Sequence, residues 1–339
     1  MPEQTARPGW QRPSIYDVAK SAGVSHMTVS RVLNGHSNIR ESTRDRVLKA
    51  IEETNYTRNS IARALATRRA MRIGVLVDGP LQYGPNSTLR ALEGAARTVG
   101  YTVSAVTVDD DPSEADAGVA ELVMQGVEAL CVIAPRQSSL DLLRRRSTGL
   151  PTVIIKAEPE SGMHTLAVDQ RAGAEIAVQH LIDLGHRSVG HLAGPLDWYD
   201  ARERQQGWHD ALEQAGLPAP EPVVGDWTSD RGHALARAGA LDGVTAVLAG
   251  NDQMALGLVH GLTERGVRVP EDVSVVGFDD VPDARHFLPP LTTVRQDFAA
   301  LGELTLRRII MAIEDEDVAQ HEVIQPRLVV RSSTAPPPA

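Results

Sequence analysis

The chain has 339 residues and a hydrophobic content of 42%, which is enough to bury more than one core. Its single cysteine, Cys131, excludes an internal disulfide framework and suits a reducing compartment. The N-terminus lacks an apolar leader and no run approaches the length of a membrane span, so we expect a cytoplasmic protein without membrane contacts.

The net charge of −10 is unevenly distributed. Residues 1–70 contain 12 Lys and Arg against 6 Asp and Glu, whereas the rest of the chain contains 22 against 38. An acidic protein would not be expected to bind nucleic acid, but the average conceals a basic N-terminal region. The split predicts two parts with different tasks.

The first sixty residues have the cap and turn residues of short helices. Ser14, with Asp17 three residues later, predicts a capping box at the start of a first helix. Gly23 permits a sharp turn, and Ser25 is placed to cap a second helix that ends near Leu33.

A third helix is predicted from Ser42, capped together with Asp45, to about Thr54. Apolar residues at helical spacing would give the three helices one small core, formed by Val18, Ala19, Ala22, Val24, Val29, Val32, Leu33, Val47, Leu48 and Ile51. This arrangement describes a helix-turn-helix.

From residue 72 onward, short apolar runs alternate with helical stretches. The runs are at 73–77, 102–106, 129–133, 152–155, 188–192, 222–225, 246–249 and 274–278, and helices are predicted over 87–99, 113–125 and 138–147. The alternation predicts two parallel, doubly wound sheets in succession. Such sheets bind ligands at the carboxyl ends of their strands, so we expect a cleft between two lobes. Residues 331–339 are rich in Pro and Ser and are predicted to be disordered.

Seven segments occur in an order that carries a family resemblance. They are SIYDVAKSAGVS (14–25), TVSRVLN (28–34), NSIARAL (59–65), LAGP (192–195), GNDQMALG (250–257), VSVVGFDD (273–280) and PPLTTVRQD (289–297). Together they resemble the LacI/GalR family of bacterial transcription repressors over residues 14–334.

The resemblance implies a fold class: a small all-α helix-turn-helix head and an α/β core of two doubly wound parallel-sheet subdomains, similar to periplasmic binding proteins. The implied domains are a DNA-binding head (1–58), a hinge helix and linker (59–70) and an effector-binding and dimerisation core (71–334). The core divides into an N-subdomain (71–168 plus 296–324) and a C-subdomain (169–294 plus 325–334), followed by a disordered tail (335–339).

In the family the second helix enters the major groove of DNA. The resemblance therefore implies base contacts by His26 and Met27, and contacts to bases or phosphates by Ser25, Thr28, Ser30, Arg31 and Asn34. His26 can donate or accept at a base edge, and Met27 can pack on a thymine methyl. Tyr16 is either a phosphate contact or a half-buried side chain.

The segment from Asn59 matches the family's hinge, which folds into a helix on operator DNA and pairs with its twin. Leu65 corresponds to the leucine that wedges into the minor groove, and Ala62 is small enough to let the paired helices approach. Such a wedge unstacks a base step and bends the duplex.

For the cleft, the resemblance implies that Arg204, Asn251 and Asp279 bind sugar hydroxyls. Trp227 would pack on the apolar face of a pyranose, and Gln296 and Phe298 would line the crossover between lobes. The first three side chains combine donors and acceptors, which suits a polyhydroxyl ligand. Each has an alternative: Asp279 as a loop cap, Trp227 as ordinary core, and Arg204 as a surface ion pair with Glu203 or Asp200.

Two further cleft positions depart from the family pattern. Lys156 stands where the lactose-repressor branch has a carboxylate, and Asp78 replaces a small polar residue. A cation at 156 changes the pattern of hydroxyls that the cleft can read. We still expect a sugar as the effector, but the sequence does not predict which sugar it is.

Enzymatic activity finds little support. His180, His186 and His191 lack the spacing of zinc ligands, and the chain has no nucleophile elbow, phosphate-binding loop or dinucleotide fingerprint. We expect no catalytic residues, no metal and no cofactor. A transporter-linked solute-binding protein would share the two-lobed fold, but a basic helical head and no leader count against it.

The expected function is a homodimeric repressor of carbohydrate-utilisation genes that binds a pseudo-palindromic operator and is released by a sugar or glycoside. No leucine heptads for a tetramerising helix follow the last predicted strand, so a dimer is expected. The alternative is a purine- or nucleoside-responsive, or co-repressor-dependent, regulator of the same family.

Overall fold

The computed structural model describes residues 13–33, 36, 38–56, 69–79, 82–108, 112–133, 136, 148–160, 162–316 and 321–338. The chain separates into two compact units, residues 1–70 and residues 71–339, which we call the head and the core. The predicted helix at 138–147 lies outside the described residues. Within the described residues, no helix combines the length and the apolar composition needed to cross a bilayer.

Three helices form the described part of the head: α1 (Ile15–Ala22), α2 (His26–Leu33) and α3 (Glu41–Thr54). Val18, Val29 and Val47 are fully buried at the centre of their shared core. The predicted helix-turn-helix is confirmed.

Two details of the third helix were predicted wrongly. The helix starts at Glu41 behind Arg40, which makes no side-chain cap hydrogen bond, so Ser42 lies inside the helix and is not its cap. Leu48 is 48% exposed, and Ala50 is buried instead, because Leu48 lies about 100° around the helix from the buried Val47.

The first half of the core alternates strands and helices. Its elements are β1 (Arg72–Asp78), α4 (Tyr83–Thr98), β2 (Thr102–Val108), α5 (Pro112–Met124), β3 (Ala129–Ile133), β4 (Thr152–Ile155) and β5 (His164–Val168).

The second half repeats the pattern. Its elements are α6 (Gln170–Asp183), β6 (Val189–Ala193), α7 (Tyr199–Gln214), β7 (Val223–Val224), α8 (Ser229–Arg237), β8 (Ala246–Ala249), α9 (Asp252–Glu264), β9 (Ser274–Asp279), a 3₁₀ turn (Ala284–His286), β10 (Thr292–Arg295), α10 (Phe298–Ile313), β11 (His321–Ile324) and β12 (Arg327–Val329).

The strands form two six-stranded sheets, in the orders β11-β5-β4-β3-β1-β2 and β12-β10-β9-β8-β6-β7. Each sheet has an apolar cluster on both faces, as helices on both sides require. The predicted doubly wound lobes are confirmed, and we call them the N-lobe and the C-lobe. The edge strand β12 runs antiparallel to β10, which departs from a wholly parallel sheet.

Cys131 lies in the centre of the N-lobe sheet and is fully buried. Burial raises the pKa of its thiol to about 12, so the thiol is inert at neutral pH.

In the described part of the chain, three connections join the two sheets. They follow Val168, Arg295 and Ile324. The lobes are therefore interleaved along the sequence, and the carboxyl ends of their strands meet near these connections.

The prediction of a disordered tail from Arg331 is wrong through Ala335. Ser333 is fully buried, where its hydroxyl donates to the Val275 carbonyl and accepts the Thr292 N–H. The Ala335 N–H donates to the Ser274 hydroxyl. Composition suggested disorder, but hydroxyl and backbone groups of this segment form hydrogen bonds with β9 and β10 of the C-lobe sheet.

Candidate functional site

The second helix of the head is held by its caps. The Ser14 hydroxyl and the Asp17 carboxylate form the predicted capping box of α1. Gly23 adopts a left-handed φ of 64°, which turns the chain. The Thr28 N–H then donates to the Ser25 hydroxyl at 3.1 Å, so Ser25 caps α2 as predicted.

The polar face of α2 projects away from the head's core. His26, Met27 and Arg31 are exposed, and Met27 has 59% of its surface accessible. Tyr16 is 64% exposed, with its ring centroid 5.0 Å from that of His26, which disfavours the half-buried alternative.

The remaining head residues divide into two groups. Thr28 and Ser30 are half-buried, and the Thr28 hydroxyl lies 2.9 Å from that of Ser25. The other predicted DNA-binding residues lie outside the described residues: Asn34, Asn59, Ala62 and Leu65.

A shallow depression of about 730 Å³ lies beside α2. Arg40 and Arg46 line it together with Thr28 and Thr43. Guanidinium and hydroxyl groups in this arrangement suit phosphate oxygens. The two arginines were not singled out from the sequence, since neither falls in a motif.

A cavity of about 310 Å³ lies between the lobes of the core. Residues 82–85 line it from the N-lobe, and Trp198, Asp200, Arg204, Trp227, Asn251 and Asp279 line it from the C-lobe. The C-lobe residues follow β6, β7, β8 and β9 or begin α7, so they gather where parallel strands end.

Arg204 is one of four buried side chains that are joined in a closed ring of polar contacts. Its Nε donates to Gln170 Oε1 at 2.9 Å, and Gln170 Nε2 donates to Gln296 Oε1 at 2.9 Å. Gln296 Nε2 donates to Asp279 Oδ1 at 2.6 Å, and that oxygen lies 3.6 Å from Arg204 Nη2. Arg204 Nη2 also lies 3.9 Å from Asp200 Oδ2, so the ion pair with Asp200 that was the alternative is present, but Arg204 is only 4% exposed and the pair is not a surface one.

Asp279 has a carboxyl group whose pKa is raised towards neutral pH. Burial raises its pKa to about 6, although Arg204 and Gln296 act in the opposite direction. Its φ of 111° is unusual for a residue with a side chain and indicates a backbone that the surroundings hold in place.

Trp227 lines the cleft cavity and has an unpaired hydrogen-bond donor. Its Nε1 is buried and has no hydrogen-bond partner among the described residues. Gly194 makes room for it, since a Cβ at that position would lie 2.1 Å from the indole ring. An orphaned buried N–H costs stability unless something else binds it.

Trp198 connects the two lobes. Its indole packs against Gly79 of the N-lobe, where a Cβ would come within 2.6 Å of the ring. Arg136 lies over the same ring at 5.4 Å and forms an isolated backbone bridge with Trp198.

Asn251 has a structural task beside any ligand contact. Its side-chain oxygen accepts the Met254 N–H at 2.8 Å and so caps α9. Its amide nitrogen donates to the Trp227 carbonyl at 3.0 Å. The side chain fixes the backbone that carries the indole and keeps one N–H free of these contacts.

Lys156 and Asp78 each have an oppositely charged protein partner. Lys156 Nζ lies 3.0 Å from Glu160 Oε2 and 4.1 Å from the centre of the Tyr199 ring. Asp78 accepts from Arg136 Nε at 3.1 Å and is not among the residues that line either cleft cavity.

A second cavity of about 420 Å³ continues the cleft into the N-lobe. Lys156, Gln296 and Phe298 line it, together with Gln170 and Asp200. The Phe298 ring meets Tyr83 edge-on at 5.8 Å. The predicted crossover residues therefore face this second cavity.

Four cleft residues were not predicted to belong to the site, Tyr83, Gln170, Trp198 and Asp200, and neither was Arg136, which contacts Trp198. Gln170 meets Gln296 across 126 positions of sequence, and a single glutamine in a helix gives no hint of such a partner.

Known proteins resemble both units. Residues 14–59 match the model for bacterial regulatory proteins of the lacI family, and residues 178–334 match that for a periplasmic binding protein-like domain. The lactose operon repressor of Escherichia coli K12 is 34% identical over 328 residues, which cover 96% of this chain and 91% of the relative. A transcriptional repressor PurR of Mannheimia succiniciproducens is 35% identical over 94% of this chain and 98% of its own length.

Solved structures that resemble this chain are also transcriptional regulators. A lac repressor dimer bound to operator and the anti-inducer ONPF superposes with a TM-score of 0.84 at 32% identity, covering 96% of this chain and 100% of that one. The transcriptional regulator CelR in complex with cellobiose superposes with a TM-score of 0.72 at 32% identity, covering 95% and 100%.

A helix-turn-helix head on a two-lobed, binding-protein-like core defines a class of DNA-binding transcriptional repressors, which are not enzymes. Within that class, the chain belongs to the lacI family of bacterial regulatory proteins.

Proposed function

We propose that this repressor controls carbohydrate-utilisation genes and leaves its operator when a sugar or glycoside binds between the lobes. The observation that carries the proposal is the ring of Arg204, Gln170, Gln296 and Asp279 beside the cleft cavities. The ring offers charged donors and acceptors at fixed positions, which is the chemistry that vicinal hydroxyls require.

Trp227 supports a saccharide by its orphaned donor. The buried Nε1 can donate to a ring or hydroxyl oxygen, and the indole face can cover apolar C–H groups. Trp198 meets Trp227 at an interplanar angle of 69° with ring centroids 5.6 Å apart. Two crossed indoles suit a puckered sugar better than a flat base, which would prefer parallel rings.

The head supports sequence-specific binding through its exposed polar face. In the proposal His26 and Met27 read bases, and Ser25, Thr28, Ser30, Arg31 and Asn34 contact bases or phosphates. Tyr16 contacts a phosphate. Two heads of a homodimer bind a pseudo-palindromic operator because protein and DNA share a two-fold axis, and the hinge segment with Asn59, Ala62 and Leu65 enters the minor groove.

The proposed switch depends on the connections between lobes. Gln170 and Gln296 each follow one of these connections, so a ligand that changes their hydrogen bonds favours one arrangement of the lobes. A ligand shifts this equilibrium only by its difference in affinity for the two arrangements. The protein acts in the cytoplasm, where operator and effector meet.

The alternative is a purine or nucleoside effector, or a co-repressor. The named relatives include a PurR repressor at 35% identity. A purine would use the same Arg204 and Asp279 groups. The two hypotheses therefore place the effector at the same site, and only a comparison of ligands distinguishes them.

The test first selects a preferred duplex from random DNA with the purified protein. That duplex is then titrated with and without a panel of saccharides, purines and nucleosides. We expect a saccharide to weaken DNA binding, and Asp279→Asn to remove this response while Asp283→Asn, an exposed aspartate of the 3₁₀ region, keeps it. A response to purines alone, or no salt-dependent DNA binding, contradicts the proposal.

A further inference from the structure

A second group of ligating side chains lies on the surface of the C-lobe. His233 is on α8, and His260 and Glu264 are one turn apart on α9. His233 Nε2 lies 2.9 Å from Glu264 Oε2, and His260 Nε2 lies 3.5 Å from Glu264 Oε1. One nitrogen or oxygen atom from each residue falls within 4.8 Å of the others. None of the three residues lines either cleft cavity.

The close packing of α8 and α9 brings the histidines together. A Cβ at Gly261 would lie 2.7 Å from the His233 carbonyl, and one at Gly257 would lie 1.8 Å from the Ser229 carbonyl. Two helices that touch backbone to backbone hold their side chains at fixed separations. The two imidazole centroids are consequently only 4.6 Å apart.

We propose that His233, His260 and Glu264 bind one divalent transition-metal ion, with Zn²⁺ the best match to two imidazoles and a carboxylate. Tetrahedral zinc with bonds of about 2.0–2.1 Å needs ligand atoms roughly 3.3 Å apart. The 3.5 Å between His260 Nε2 and Glu264 Oε1 is close to this value, and His233 Nε2 lies 2.9 Å from the other oxygen of the same carboxylate. Solvent supplies the fourth ligand, because His260 is 63% exposed.

Arg237 completes the environment of the carboxylate. Its Nη1 lies 2.7 Å from Glu264 Oε2, which leaves Oε1, the oxygen nearer His260, for the ion. A partner that holds the second oxygen orients a ligating carboxylate and adds to affinity.

A second cluster in the C-lobe provides the comparison. His209, Asp210 and Glu213 also bring one ligating atom each within the same range. That group has only one imidazole, and Asp210 is already held by Arg171 and by Gln206 Nε2 at 2.7 Å. Transition metals favour imidazole nitrogen over additional carboxylate oxygen, so this cluster is the natural control.

The experiment uses the untagged full-length chain, stripped with a chelator and titrated calorimetrically with ZnCl₂. We expect one saturable site per chain in the wild type and in His209→Ala. His233→Ala and His260→Ala each weaken binding by at least about tenfold, since even outer-sphere partners of a metal are worth that much. Replacing zinc with Co²⁺ gives a second readout, the visible absorption of a four-coordinate ion, which both variants lose.

Three results would overturn the proposal. They are the absence of saturable zinc binding, wild-type affinity in His233→Ala and His260→Ala, and an equal loss of affinity in His209→Ala. His260 is mostly exposed, so His260→Ala keeps the fold and decides the question even if His233→Ala does not. The measurement needs neither DNA nor sugar, and its outcome is independent of the proposed effector.

Discussion

Asp279 combines a left-handed backbone with a buried carboxyl group whose pKa is raised to about 6. Both features carry an energetic cost in the folded state. They persist because Arg204 and Gln296 hold the carboxyl group and β9 holds the backbone. Costly features of this kind concentrate at functional sites, and this one lies in the ring beside the cleft.

The raised pKa of Asp279 predicts a pH dependence of stability. Between about pH 4 and pH 6 the folded carboxyl keeps its proton while the unfolded one loses it, so ionisation at higher pH destabilises the fold. We expect the free energy of unfolding of the wild type, relative to Asp279→Asn, to fall by on the order of 3 kcal/mol across this window. Urea unfolding of both proteins at several pH values measures it.

A difference between the two proteins that stays constant from pH 4 to pH 7 would contradict the raised pKa. Titrating groups that do not interact with Asp279, such as the buried His191 with its pKa lowered to about 4, affect both proteins alike and cancel in the comparison. Asp200 and Asp252 interact electrostatically with Asp279 and contribute to the difference.

In the head, His26 and Met27 are expected to choose the operator. Both are exposed, so the double variant His26→Gln, Met27→Ala should leave the thermal unfolding of the head unchanged. The preferred bases at the contacted steps should change, by about 1–3 kcal/mol of discrimination each. Selection from random DNA measures this change.

The matched control for that variant is Glu53→Gln. Glu53 lies on α3 in an exposed pair with Lys49 at 3.8 Å. An unchanged preferred sequence in the double variant, or the same change in the control, would refute base reading by these two residues.

At the scale of elements, sequence pattern predicts eight of the described strands and misses β5, β10, β11 and β12. β3, β8 and β9 are buried along their whole length and read as continuous apolar runs. β10 contains two buried threonines and an arginine, and β11 and β12 have charged or half-buried residues. Short strands of this composition have no hydrophobic period to detect.

Sequence-based prediction of the cleft is limited in the same way, because local patterns do not reveal long-range partners. The resemblance supplied Arg204, Asn251, Trp227 and Asp279, which the structure brings to one cavity. The use of Asn251 as a helix cap follows from backbone geometry alone. Partners such as Gln170 depend on long-range packing, which no local sequence signal encodes.

The packing of α8 on α9 predicts contrasting effects of two glycine substitutions. Gly257→Ala would drive a Cβ into the Ser229 carbonyl and cost more than about 2 kcal/mol. Gly94→Ala, on the exposed side of α4 with open space around it, should instead stabilise by about 0.5–1 kcal/mol. Denaturant unfolding of the full chain compares the two, and equal effects would rule out the close helix contact.

At the scale of the whole molecule, effector and operator binding must be linked reciprocally. If a sugar weakens operator affinity by a given factor, the operator weakens sugar affinity by the same factor. Typical couplings of about 1–3 kcal/mol correspond to factors of roughly 5 to 150. Sugar titrations of the free protein and of the DNA complex measure both sides of the cycle.

Unequal factors in those two titrations would mean that a further equilibrium, such as a change of oligomeric state, is also at work. Trp227→Phe is the matched variant. It keeps an aromatic face and removes the unpaired Nε1 donor, so sugar affinity should fall while operator affinity in the absence of sugar stays the same.

The interleaving of the lobes has a consequence for synthesis on the ribosome. The three described helices of the head all precede residue 56, whereas the N-lobe sheet is completed only by β11, at His321–Ile324. Because domains form as the chain emerges, the DNA-reading helices can fold long before either sensing lobe has all its strands. A translation product interrupted before His321 would carry a formed head on a core that lacks β11 and β12.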